Sequence, residues 1–140
     1  MLVEVTELCG VHSFETVHQM VSTIECNLSQ DKGLSDILRA TFPMGSMTGA
    51  PKLKAMELIE EFESFKRGVF SGAIGYITPK GDFDFNVVIR TILYNACTKY
   101  LSVAVGGAIT IKSDANEEYE ECLVKVRPIF EVLNFQFDEK

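Results

Sequence analysis

The chain has 140 residues, 46% hydrophobic side chains and a positive mean hydropathy, enough apolar material for one globular domain. Its 20 acidic and 13 basic residues leave a net charge of −7, and no Lys/Arg cluster forms a stripe able to neutralise a phosphate backbone, so nucleic acid is not an expected partner. No apolar run approaches the roughly 18 residues of a membrane span, no signal-peptide pattern opens the chain, and Cys9, Cys26, Cys97 and Cys122 lie far apart without a C-x-x-C pair, a spacing that argues against zinc and for reduced thiols in a cytoplasm.

Residues 2–8 alternate loosely through VEVTEL and read as a strand; a domain that opens inside a strand is often a piece of something longer. In residues 16–28, Val17, Met20, Val21, Ile24 and Leu28 fit a helix, while the Thr, Val and Ile content fits a strand, so periodicity leaves both open. His18 lies here, and a lone histidine is more often structural than catalytic. Ser35 is placed to cap a two-turn helix over LSDILRATF, which Pro43 ends.

The next stretch, PMGSMTGAPKLKAMELIEEFES, carries a helix start at Thr48 and Pro51, and the helix should run to about Ser64 with Leu53, Met56, Leu58, Ile59 and Phe62 available for burial. Gly45, Ser46, Thr48 and Gly49 before it suit a cradle for a carboxylate or phosphate, or simply an ordinary glycine-rich loop ahead of a capped helix. A P-loop is excluded, because Pro51 intervenes and Leu53 follows Lys52 where Ser or Thr is required.

Residues 68–78 read as a strand, PKGD as a turn, and 82–94 and 99–111 as two further strands around an Asn95 to Lys99 connection. Between Phe85 and Leu93 the only charge is Arg90, which must meet a carboxylate partner or face a cleft where a ligand supplies one. Gly106 and Gly107 close the last strand, where a glycine pair marks a bulge or a close backbone approach. The final helix places Glu118, Glu121 and Lys125 at i, i+3 and i+7, within an arc of about 60°. Tyr119, Leu123, Val126, Phe130 and Leu133 form its apolar stripe, and Pro128 predicts a kink near Val124 or a new segment from Arg127. Two carboxylates and an ammonium in a row suit Mg²⁺ with an anionic substrate, or an ordinary solvated helix face.

The segments PMGSMTGAPK, SGAIGY, DFNVVIRT, VGGAI and EEYEECLVK stand in the order and spacing of the chorismate-binding enzymes, and the chain resembles that family from about Val3 to Leu133. FPMGSMTGAPK, VHQMVSTI and DFNVVIRT are most similar to its aminodeoxychorismate synthase branch, with the anthranilate synthases second. The resemblance implies an α+β fold, the C-terminal half of an α/β sandwich with largely antiparallel sheet and flanking helices. Residues 1–140 would then be a partial chorismate-binding domain without its N-terminal half. It also implies amination of chorismate at C4 for 4-aminobenzoate and folate synthesis, with Mg²⁺ as cofactor and ammonia from a glutamine amidotransferase subunit.

Residue by residue, the resemblance makes Glu121 a direct Mg²⁺ ligand and Glu118 a second carboxylate at the metal. It gives one substrate carboxylate to Lys125 and the backbone at Gly106 and Gly107, and the other to Arg90. Ser46 and Thr48 would line the pocket, and His18 would sit by the departing ring hydroxyl as the catalytic histidine. The chain departs from the family pattern at Ala108, where many relatives have a third glycine, and at Phe70, where several have a tyrosine hydroxyl. The family's attacking lysine and its other metal-binding glutamate belong to the half not matched here, so the segment alone should be inactive. Its exposed sheet surface would be covered by that half or by a second copy. An anthranilate synthase segment and a non-catalytic binding or assembly module of the same fold are the alternatives.

Overall fold

The computed structural model describes residues 3–15 and 17–135. Leu2 and Thr16, which open two of the expected segments, lie outside the described residues. The chain divides into two units, 1–42 and 43–140, and among the described residues no helix is long and apolar enough to cross a membrane.

In the first unit β1 (Val3–Ser13) pairs antiparallel with β2 (His18–Cys26), from Val3 opposite Cys26 to Ser13 opposite His18. The ambiguity over this stretch is thus resolved as strand over His18–Cys26, because β1 supplies a ladder that no local periodicity can reveal. The register slips between Val5 and Gly10, where Cys9 takes a left-handed φ of 53° and its N–H donates to Ser22 Oγ at 3.0 Å. Helix α1 (Leu34–Thr41) follows, capped by Gly33 and not by Ser35. The Asp36 carboxylate accepts the Gly33 N–H at 3.0 Å, which starts the helix before Ser35 and makes that residue internal.

The second unit opens with a surprise for the expected glycine-rich loop: α2 (Gly45–Thr48) is a single helical turn, closed by Gly49 N–H to the Gly45 carbonyl and by Thr48 Oγ1 to the Met44 carbonyl at 3.1 Å. Helix α3 (Lys52–Phe62) has Pro51 as its N-cap and stops two residues short of Ser64, with the Glu63 N–H on the Ile59 carbonyl. Its apolar side chains are not covered within the unit; Leu53 and Phe62 are 78% and 74% exposed.

Strand β3 is only Ala73–Ile77, since residues before it form turns: Phe70 N–H reaches the Arg67 carbonyl and Gly72 N–H the Val69 carbonyl. It pairs antiparallel with β4 (Phe83–Val87) and sets Gly75 opposite Phe85. A Cβ on Gly75 would run into the Asp84 carbonyl oxygen and lie 2.5 Å from the Phe85 ring, so glycine is what allows this close approach across the hairpin. The ladder extends one step, with Ser71 N–H to the Val88 carbonyl and Val88 N–H to the Gly72 carbonyl, and then breaks. The long strand expected over 82–94 is therefore two, β4 and β5 (Ile92–Asn95), and its partner β6 is only Tyr100–Val103.

Helix α4 (Ala115–Val132) is continuous through Pro128, contrary to the expected interruption. Asp114 caps its start, accepting the N–H groups of Asn116 and Glu117. Its C-terminal end is closed by a Schellman motif. Asn134 is left-handed at φ 51°, Phe135 N–H donates to the Phe130 carbonyl, and the two rings meet at a 52° tilt with centroids 5.3 Å apart. Of the expected stripe Val126 is buried, whereas Tyr119 is 57% exposed.

The architecture is an α+β mixture of antiparallel ribbons and helices, as expected, although among the described residues each sheet has two strands. Among the described residues only Val88 and Val126 are buried hydrophobic residues.

Candidate functional site

The glycine pair after β6 meets the acidic face of α4. Lys125 Nζ donates to the Gly106 carbonyl at 2.9 Å and lies 2.5 Å from Glu121 Oε1. Gly107 faces Glu118: a Cβ built on it would stand 2.9 Å from Glu118 Oε2. The other Glu118 oxygen accepts from Ser113 Oγ. Gly106, Gly107, Glu118, Glu121 and Lys125 are thus brought together, although residues 104–110 are irregular backbone and not the strand end expected there.

Arg90 is not a buried strand residue. It occupies the break between β4 and β5, exposed, with a left-handed φ of 50°. That is uncommon for a residue with a Cβ, and such conformations gather at functional sites. Among the described residues no carboxylate pairs with it. Arg90 and Lys125 line one open hollow of about 780 Å³ with Thr91, Ile92, Val124 and Pro128. Its walls are apolar and its cations are two, which suits a small ring bearing negative groups.

A metal was expected at Glu118 and Glu121. Among the described residues no three His, Cys, Asp or Glu side chains cluster, but Mg²⁺ usually takes only one or two protein carboxylates. Glu118 Oε2 is buried with no hydrogen-bond donor, and an orphaned carboxylate oxygen is costly unless something positive meets it. The donor set therefore fits a hard cation held by Glu118 and, three residues on along α4, Glu121.

Ser46 and Thr48 sit in α2 and are not among the residues lining the hollow. His18 lies in the other unit, its Nδ1 2.9 Å from Ser13 Oγ across the end of the hairpin. The sequence reading missed Thr91, whose neighbour Arg90 was the available signal, and Ser113, which steadies Glu118 from the residue before the helix cap.

Gly107 and Gly106 make opposite predictions. Gly107→Ala should push the Glu118 carboxylate aside and lower Mg²⁺ affinity about 10-fold or more, the scale of outer-shell metal-site mutations. Gly106→Ala meets nothing within 4 Å and should leave that affinity unchanged; titration of Mg²⁺ into the two variants checks both.

The family model described as chorismate binding enzyme matches residues 2–131. The chain belongs to the chorismate-binding enzyme family. It is 42% identical over 139 residues to the aminodeoxychorismate synthase of Arabidopsis thaliana, named as chloroplastic, covering 99% of this chain and 15% of that protein. To aminodeoxychorismate synthase component 1 of Escherichia coli K12 it is 42% identical over 131 residues, 94% of this chain and 28% of the relative. Among solved structures it resembles anthranilate synthase component I from Streptococcus pneumoniae TIGR4, with a TM-score of 0.75 and 37% identity over 89% of this chain and 28% of that one. This member of the family thus spans less than a third of the length of these relatives.

Proposed function

We propose that this chorismate-family chain is the C-terminal, metal- and carboxylate-holding half of a domain in an aminodeoxychorismate synthase. The intact enzyme would aminate chorismate at C4 to 4-amino-4-deoxychorismate, with ammonia from a glutamine amidotransferase subunit and its thiols reduced in a cytoplasm. The observation that carries this reading is the pairing of Arg90 and Lys125 on one apolar-walled hollow beside the unpartnered oxygen of Glu118. The relatives named aminodeoxychorismate synthase support the C4 product.

Chorismate is a dianion, and the two cations have distinct tasks. Lys125 has three N–H donors; Glu121 and the Gly106 carbonyl engage two, leaving one for a substrate carboxylate alongside the Gly106 and Gly107 backbone. Arg90 takes the other carboxylate and so fixes the ring's orientation. Ser46 and Thr48, outside the lining of this hollow, would join the pocket wall only in the intact domain. His18, whose Nδ1 is engaged by Ser13, would be the group that gives a proton to the departing ring hydroxyl in the intact enzyme. Glu121 and Glu118 would hold Mg²⁺, which when bound supplies charge neutralisation and Lewis-acid character. Were Glu121 to hold a cation, its ion pair with Lys125 would weaken and the ammonium would have a further N–H for the substrate.

The likeness to an anthranilate synthase component I structure favours a second product, anthranilate with pyruvate. Incubating the full-length protein with chorismate, Mg²⁺ and ammonium and separating the products decides between them. The C4-amino product is expected; anthranilate would reassign the branch. The 140-residue chain alone should show no turnover, and turnover at an ordinary enzyme rate would refute its assignment as half a site.

A further inference from the structure

Arg67 joins three segments of the second unit by one guanidinium. Its Nε donates to Glu63 Oε2 at 2.8 Å and its Nη2 to the other Glu63 oxygen, a fork-to-fork pair at the end of α3. Its Nη1 donates both to the Met47 carbonyl in α2, at 2.8 Å, and to Ser71 Oγ, at 3.0 Å. The Phe70 ring lies beneath it, 5.9 Å from the guanidinium carbon. The hydrogen bonds that Arg67 donates to Glu63 hold its pKa above the ordinary value, so the guanidinium stays charged at any working pH.

The second end of the clasp matters as much as the first. Ser71 is 9% exposed and left-handed at φ 67°, and its N–H holds the carbonyl of Val88, itself 3% exposed. Val88 is two residues before Arg90. Arg67 thus ties the turn bearing Ser46 and Thr48 to the strand end that aims Arg90, segments separated by more than 40 residues of chain.

We infer that Arg67 is a positioning residue, tying the Arg90 break to the Gly45–Thr48 turn in one arrangement so that Arg90 is aimed at a substrate carboxylate. This rests on the chorismate reading for what the positioned groups bind, whereas the clasp itself rests on the contacts above. A lysine cannot replace it, since an ammonium has no planar fork to serve Glu63, Met47 and Ser71 together.

The test uses the full-length protein with Arg67→Gln and, in case that variant folds poorly, Arg67→Lys. Hydrogen exchange at the amides of Met47 and Gly49 should quicken tenfold or more while α4 amides keep the parent rate. KM for chorismate should rise tenfold or more in Arg67→Gln with kcat within threefold, and Arg67→Lys should fall between. Unchanged exchange at 47–49, or faster exchange spread equally over α4, would overturn the inference by showing no clasp or a merely structural one. Local loosening with an unchanged KM would also overturn it. If the parent protein does not act on chorismate at all, the functional reading fails while the exchange data still decide whether the clasp exists.

Discussion

Replacing Arg90 with glutamine in the full-length protein is expected to lower kcat/KM for chorismate on the order of 100-fold, equivalent to about 3 kcal/mol, the upper range for a hydrogen bond to a charged group. The size follows from what the side chain is asked to do. Arg90 has no carboxylate partner among the described residues and shares its hollow with Lys125, so a ligand carboxylate is the only strong acceptor it would meet there. Arg90→Lys keeps the charge without the bidentate fork and should lose about a tenth as much of the rate. Because the position is left-handed, Arg90→Gly would remove the backbone strain as well as the charge, and a loss equal to that of the glutamine variant would show that the guanidinium matters more than the turn. Steady-state kinetics across the three variants read all of this; activity unchanged in Arg90→Gln would remove Arg90 from the site.

The second large effect concerns the apolar surface. Val5, Leu8, Val11, Met20 and Ile24 on the β1–β2 hairpin are each more than half exposed, as are Leu53 and Phe62 on α3. Burying one such side chain contributes about 1.5–3 kcal/mol, so covering a few is comparable with the whole stability of an ordinary domain, about 5–15 kcal/mol. We expect the isolated 140-residue chain to bind a hydrophobic dye and self-associate, and the same segment within the full-length protein to do neither. A monomeric, dye-silent chain with a sharp cooperative urea transition would contradict the view that another part of the domain, or a second copy, covers these faces.

What could be read in the sequence was local. The spacing of Glu118, Glu121 and Lys125 sets their common face by helix geometry alone, and the glycine pair signalled the close approach that Gly107 makes to Glu118. What could not be read depended on partners distant in the chain. Residues 18–26 are a strand because β1 lies beside them, although their own periodicity serves a helix equally well. Arg90 appeared to sit in a long strand because it is the only charge in the largely apolar run 85–93; the ladder ends instead where Val88 makes its hydrogen bonds to Ser71 and Gly72. Gly33 displaced Ser35 as a cap through its N–H bond to Asp36, and α4 runs on past Pro128 to a Schellman closure at Phe135. Arg67 was invisible for the same reason, since one of its acceptors, the Met47 carbonyl, lies 20 residues away.

The most direct test is calorimetric titration of chorismate into the full-length protein with and without Mg²⁺, repeated for Glu121→Gln. If a cation on Glu121 releases Lys125 for the substrate, Mg²⁺ must tighten chorismate binding, chorismate must tighten Mg²⁺ binding by the same factor, and Glu121→Gln must abolish that coupling. Chorismate binding of equal strength with and without Mg²⁺, unaltered in Glu121→Gln, would contradict the account.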